Sequence, residues 1–166
     1  MLVPRDEATG KTGIPTERRN KPERPRDRLG RPMAWDADGE LELEDFDSMS
    51  LEENHEVARR HARAGRWFPA HEAWETAWKQ ARSTGEAELF KGLSQMGAGY
   101  VHLLRGNAHG AAMLLRRAAR RIGAYEDGTR GVRTRSLAER LASDAEAVEA
   151  GRLDVGEHAT VEPVAV

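Results

Sequence analysis

The sequence predicts an all-α fold: a compact helical bundle of about five helices with a disordered, charged N-terminal extension. Three observations carry that reading. Between about residues 50 and 150, apolar residues recur at steps of three and four, the period that gathers one stripe on one helix face. The stripes are punctuated by Gly65, by Ser83-Thr84-Gly85 and by Gly106, residues suited to ending helices. No stretch alternates with a period of two for long enough to build a sheet, since Leu41-Glu-Leu-Glu44 is too short and too acidic.

Composition narrows the functional classes. A chain of 166 residues with 39% apolar content holds one ordinary domain plus tails that do not pack. The formal net charge of −2 gives no overall reason to expect nucleic acid or an anionic membrane as partner. With no cysteine, disulfides, Cys-ligated zinc and thiol catalysis are excluded together. No apolar run approaches the roughly 20 residues of a membrane span, and Met1-Leu-Val-Pro-Arg-Asp-Glu7 lacks a signal-type apolar segment, so a cytoplasmic protein is expected.

In chain order, residues 1–47 read as a disordered or loosely docked extension, because they hold five of the seven prolines and no apolar period. Residues 1–34 carry nine Lys and Arg against five acids, and Asp36 to Glu56 then carries ten acids and no Lys or Arg. The two blocks could fold back on each other, with Leu29 to Trp35 docked through Trp35. The packed part, 48–151, opens with Ser50 and Glu53 at capping-box spacing, giving a first helix over about 50–64. Pro69 suits a first helical position and starts a second helix to Arg82. A third runs from about Glu86 to Arg105. Asn107 is the cap of a fourth that reaches Ile122, and a fifth spans about Ser136 to Ala150. Residues 152–166 contain Gly156 and Pro163 and no stripe, and read as a flexible tail.

The second helix raises the functional question. Steps of about 100° per residue put His71, Trp74, Glu75 and Trp78 in one sector, extended by Ala77 and Ala81, so the core-facing stripe carries an ionisable pair. Glu72, Thr76, Lys79 and Gln80 fall on other faces. On the third helix, Leu89, Phe90, Leu93, Met96, Tyr100 and Leu103 mark a wide apolar face, while Gln95 and His102 lie on one line opposite, with Gly92, Ala98 and Gly99 beside them. Glycine inside a helix costs about 1 kcal/mol relative to alanine, so Gly92, Gly97 and Gly99 call for a close approach by a neighbour or ligand. If these helices form an antiparallel hairpin, residues whose numbers sum to roughly 169 lie level. Glu75 then faces Ser94 and Gln95, and His71 comes within about a turn of His102. Trp74, Trp78, Gly92 and Gly99 line the core or a pocket there.

Three readings of the cluster compete. A divalent metal could be held by His71, Glu75 and His102, nitrogen and carboxylate donors that suit zinc, manganese or iron better than calcium. A cleft could exchange protons with a small molecule. Or Glu75 accepts hydrogen bonds from His71, Gln95 or His102 in a buried network that fixes the hairpin register, a satisfied arrangement that costs far less than a lone buried carboxylate. His-Glu-x-x-Glu lacks the second histidine of the zinc-protease motif, and no nucleophile, phosphate-binding loop or dinucleotide fingerprint accompanies it. Arg116, Arg117, Arg120 and Arg121 form a basic run that reads as solvated more readily than as a nucleic-acid surface. Incompletely covered helices leave room for a homodimer.

Phe68-Pro-Ala-His-Glu-Ala-Trp-Glu-Thr-Ala-Trp78, then Phe90-Lys-Gly-Leu-Ser-Gln-Met-Gly-Ala-Gly-Tyr-Val-His102 and Arg105-Gly-Asn-Ala-His-Gly-Ala111, resemble the DUF309 family of bacterial and archaeal proteins. The resemblance covers about residues 55 to 122 and implies a compact helical bundle, with His71, Glu72, Glu75, Trp78, Gln95, His102, Gly106 and Asn107 at the family's motif positions. Pro69 and Ala73 depart from its usual residues. The run from Arg18 to Pro32 resembles the extension of actinobacterial members. The family implies no reaction, so the expectation is an interaction or small-ligand-binding module, without a required cofactor, whose His71, Glu72, Glu75, Gln95 and His102 cluster is conformationally fixed. The alternative is a metal-dependent, hydrolase-like enzyme using His71, Glu75 and His102.

Overall fold

A computed structural model describes residues 23–166. Five helices, α1 (Leu51–Arg63), α2 (Trp67–Gln80), α3 (Ala87–Leu104), α4 (Ala108–Gly123) and α5 (Thr134–Glu149), are joined by short connections. Single 3-10 turns occur at Phe46–Ser48 and Thr129–Gly131. Among the described residues there is no strand, only an isolated bridge between Arg26 and Pro32. The expected all-α bundle is therefore the fold. No described helix is long and apolar enough to cross a membrane.

Local chemistry sets the helix ends. The Ser50 Oγ accepts from the Glu53 amide at 3.2 Å while the Glu53 carboxylate accepts from the Ser50 amide at 2.7 Å, the reciprocal capping box read from the spacing. Asn107 caps α4 by accepting from the Gly110 amide at 3.0 Å. α2 begins at Trp67, two residues before the expected Pro69. Proline is tolerated there because the first-turn amides of a helix have no intrahelical acceptor.

The helices pack in chain order, each against the next, so α3 lies between α2 and α4. Leu89, Phe90, Leu93, Met96, Tyr100 and Leu103 of α3 are completely buried. Tyr100 packs on Trp67 with ring centroids 4.4 Å apart, and its hydroxyl donates to Asp144 Oδ2 of α5 at 2.6 Å. Burial, reinforced by the Asp144 charge, pushes the Tyr100 hydroxyl far above its ordinary pKa and keeps it a donor.

The glycines of α3 are explained by close packing. A Cβ at Gly97 would sit 3.0 Å from the backbone N and Cα of His71. At Gly92 it would meet Ile122 at 2.9 Å, and at Gly99 Leu115 at 2.9 Å, so these two positions admit α4. α3 is thus gripped from both sides, with the loss of helix propensity offset by contact.

Both extensions are held against the bundle where they are described. The basic residues Arg5, Lys11, Arg18, Arg19 and Lys21 lie outside the described residues. Leu29, and not Trp35, anchors the following segment: Leu29 is 4% exposed and Trp35 64%. The Leu29 carbonyl accepts from Arg105 Nε and Nη2 at 3.1 and 2.6 Å. The charge blocks meet locally, with the Glu40 amide donating to the Arg26 carbonyl and the Arg28 amide to the Glu40 carboxylate. Phe46 is buried, and the Asn54 side-chain amide donates to its carbonyl at 2.9 Å. At the other end, the tail expected to be flexible from 152 is docked. Val164 and Val166 are buried, and the Gly156 amide donates to the Leu103 carbonyl at 2.8 Å. Single apolar anchors and backbone carbonyls hold these segments, and neither leaves a periodic trace.

The Gly97 contact gives a direct test. Gly97→Ala forces α2 and α3 apart against packed backbone and should lower unfolding stability by about 1–3 kcal/mol in urea titration. Gly85→Ala, where the added methyl meets nothing within 4 Å, should leave the midpoint unchanged or raise it.

Candidate functional site

Between α1 and α3, α2 buries Trp67, Ala70, Ala73, Trp74 and Ala77. The small side chains bring the neighbouring helices close, and Trp74 fills the space between them. His71, Glu75 and Trp78 therefore sit at the edge of the buried arc, partly exposed, and not within the core-facing stripe expected of them. Glu72, expected on a solvent face, is also partly buried and turns to the same place.

His71 is fixed from α3. Its Nδ1 lies 3.0 Å from the Ser94 carbonyl and 3.0 Å from Ser94 Oγ, and Ser94 Oγ donates to the His71 carbonyl at 3.3 Å. A carbonyl can only accept, so Nδ1 carries the hydrogen; Nε2 presents a lone pair when the ring is neutral and a second N–H when it is protonated. That Nε2 faces two carboxylates, Glu75 Oε2 at 3.5 Å and Glu72 Oε1 at 3.6 Å. Both distances exceed a normal hydrogen bond. Lys79 Nζ binds the other Glu75 oxygen at 2.9 Å. One donor atom from each of His71, Glu72 and Glu75 lies within 4.8 Å of the others, a grouping of possible metal ligands.

Gln95 and His102 occupy separate positions. Gln95 lines a cleft of about 270 Å³ with His71, Glu75, Trp78, Lys91 and Ser94. Its Oε1 is buried and accepts no hydrogen bond from the described residues. Lys91 lies over the Trp78 ring, 5.0 Å from its centroid. His102 turns away from the carboxylates toward the turn before α4, where its Nδ1 accepts from the Asn107 side-chain amide at 3.0 Å. Burial, then the nearby Arg105 and His71, depress its pKa below the ordinary value. His102 thus stands apart from His71 and Glu75, and among the described residues His71, Glu72 and Glu75 are the ones whose donor atoms lie within 4.8 Å of one another. Glu75, expected as the buried hub of a network, is partly exposed and paired with lysine, and His71–Ser94 is the contact that joins the helices.

A second histidine was not among the expected site residues. His55 of α1 is 7% exposed, its Nδ1 accepts from Trp74 Nε1 at 3.0 Å, and its Nε2 donates to the Arg130 carbonyl at 3.0 Å. A buried tryptophan needs an acceptor for its N–H, which is the signal that could have pointed here. Phe90 packs edge-on against the His55 ring. Arg130 adopts a left-handed conformation (φ 52°), and its side chain pairs with Glu52 and Glu86 at 2.7 and 2.5 Å. On the basic run, Arg116 pairs with Glu149 and Arg121 with Glu88, leaving Arg117 and Arg120 exposed.

Burial pushes His55 below its ordinary value of 6.5, with Arg59 and Arg130 acting the same way against the Arg130 carbonyl bond and Glu56. A depressed folded-state pKa means the unfolded chain binds the proton first. Stability therefore falls as pH drops from about 6.5 toward the lower folded value. Melting temperature should decline over that window. The decline should be shallower in His55→Gln, with His102 supplying the remainder in the same direction, and an equal slope in the variant would refute the assignment.

Residues 56–114 match the model of a family described as domain of unknown function (DUF309). No curated protein and no solved structure matches the chain. The matched segment runs from α1 into α4 and contains every residue of the α2–α3 site, so the DUF309 match supports the resemblance seen in the sequence and falls on the part of the fold that builds this cleft.

Proposed function

We propose that the chain is a non-catalytic, small-ligand-binding module whose site is the cleft between α2 and α3. Gln95 carries the reading: a buried amide oxygen left without a donor costs about 1–3 kcal/mol, and a ligand N–H or O–H in the cleft would recover it. The terminal torsion of glutamine is soft, so the amide can turn to such a ligand. The lining also offers the Glu75 carboxylate, the Trp78 side chain and the apolar Ala98 and Leu114. The ligand that fits is a small molecule with a hydrogen-bond donor beside an apolar body.

The Ser94–His71 pair invites a nucleophile reading, and the local chemistry argues against it. Nδ1 carries the hydrogen that the Ser94 carbonyl accepts, so it has no lone pair with which to deprotonate Oγ. Ser94 is also 5% exposed, and its Oγ donates to the His71 carbonyl. Against the metal-dependent hydrolase weighs His102, whose Nδ1 is taken by Asn107. A cytoplasmic location, supported by the cysteine-free composition, belongs to the same proposal. So does an actinobacterial-type origin, supported by the arginine-rich run before Pro32.

Gln95→Leu tests the reading. Replacing an unsatisfied buried amide by an apolar side chain of similar size should leave the unliganded protein as stable as the wild type or more so. In a thermal-shift screen of amine- and amide-bearing small molecules, compounds that stabilise the wild type should lose their effect in this variant. A screen without stabilising compounds, or with shifts indifferent to Gln95→Leu, would contradict the proposal.

A further inference from the structure

We infer that the seat of residues 162–166 across α1 and α5 is a peptide-docking groove, closed in this structure by the chain's own tail. Its partner is an extended protein segment with small aliphatic residues two apart and a carboxylate at or just after the second. None of the residues that form the groove lines the α2–α3 cleft, so the inference stands apart from the reading of that cleft.

The seated tail shows what the groove reads. Val164 and Val166 are buried while Ala165 between them is exposed, the alternation of an extended strand. Arginine side chains take its carbonyls. Arg140 of α5 gives Nη2 to the Glu162 carbonyl at 3.1 Å and Nη1 to the Pro163 carbonyl at 3.4 Å. Arg59 and Arg63 of α1 both donate to the Val166 carbonyl at 3.0 Å. Among the described residues, no backbone–backbone hydrogen bond reaches residues 160–166. Carbonyl groups carry no side-chain identity, so any extended chain offers the same acceptors, and the two valine seats supply the selectivity. The tail is held by two small anchors and by bonds that another segment can make equally well.

The receptor side is built without its occupant. Arg140 Nε binds Asp144 Oδ2 at 2.9 Å, and the same carboxylate oxygen accepts from the buried Tyr100 hydroxyl at 2.6 Å. Arg59 lies against Gly131, where a β-carbon would stand 3.3 Å from Nη1, so the glycine leaves the guanidinium its place. These contacts come from the bundle and remain when the tail leaves. Beside the seated valines a cavity of about 480 Å³ stays open, lined by Arg59, Arg63, Gly131 and Arg133. Arg133 is exposed and forms no ion pair among the described residues, and Glu56 stands 3.7 Å from Arg59 and 3.9 Å from Arg63. Three arginines beside one loosely placed acid favour a segment that brings a carboxylate to this end of the groove.

Fluorescence anisotropy of a dye-labelled synthetic peptide with the sequence of residues 157–166, ending in a free carboxylate, tests the groove on the full chain. The wild type should bind it weakly, because the tail competes from within at a high effective concentration. Val164→Asp with Val166→Asp in the protein unseats the tail and should raise the affinity at least about tenfold. Where that pair fails to fold by circular dichroism, Val164→Ala with Val166→Ala takes its place. In the unseated chain, Arg59→Ala should cut the affinity at least about tenfold, and ending the peptide in a carboxamide should weaken it at least about fivefold. A peptide that itself carries Val164→Asp and Val166→Asp should not bind. Affinity that fails to rise when the tail is unseated, survives Arg59→Ala, or is indifferent to the peptide's valines or to its carboxylate would overturn the inference.

Discussion

The site depends on one steric constraint: at Gly97 the backbone of α3 comes so close to His71 that a β-carbon there would stand 3.0 Å from α2 main-chain atoms. That approach lets the Ser94 carbonyl reach the His71 ring and turns a mobile surface histidine into an oriented one. The alanine face of α2 serves the same end from the other side, since Ala70, Ala73 and Ala77 leave room for neighbouring helices to close in. Small residues here fix the geometry of larger polar ones. The glycines of α3 lower its intrinsic helix propensity, and the packing they permit is what the sequence gains in return.

A second consequence concerns where polar groups are satisfied. The buried polar side chains of this bundle are mostly committed to named partners: Trp74 to His55, Tyr100 to Asp144, His61 to Glu44, Asn54 to the Phe46 carbonyl. Against that background Gln95 Oε1 and Asn54 Oδ1, which accept no hydrogen bond from the described residues, and the His71 Nε2 facing carboxylates beyond hydrogen-bond length, are exceptions. Exceptions of this kind concentrate at binding sites, because a group satisfied within the fold has nothing left to offer a ligand.

Helix periods, the Ser50–Glu53 box and the Asn107 cap were legible from sequence because each is a local pattern with a local physical cause. The antiparallel pairing of α2 and α3 was legible too, since short loops leave little choice, and it placed His71 near α3 within about a turn. Which α3 group would receive His71 was not, because a backbone carbonyl has no sequence signature. The displacement of His71 and Glu75 to the edge of the buried arc came from the second packing partner, α1, whose angle around α2 no periodicity encodes. The docking of Leu29, Phe46 and Val164 was hidden for a related reason: each is one apolar residue in a polar stretch, and its burial depends on a groove made by distant helices.

The orientation of the polar edge of the α2–α3 cleft therefore turns on the state of a single imidazole. A long-range proton–nitrogen correlation spectrum of His71, assigned by comparison with His71→Ala and recorded above neutral pH without added metal, reads that state directly. The account predicts a hydrogen on Nδ1 and the chemical shift of a bare lone pair on Nε2. A ring carrying its hydrogen on Nε2, or averaging freely between the two tautomers, would contradict it.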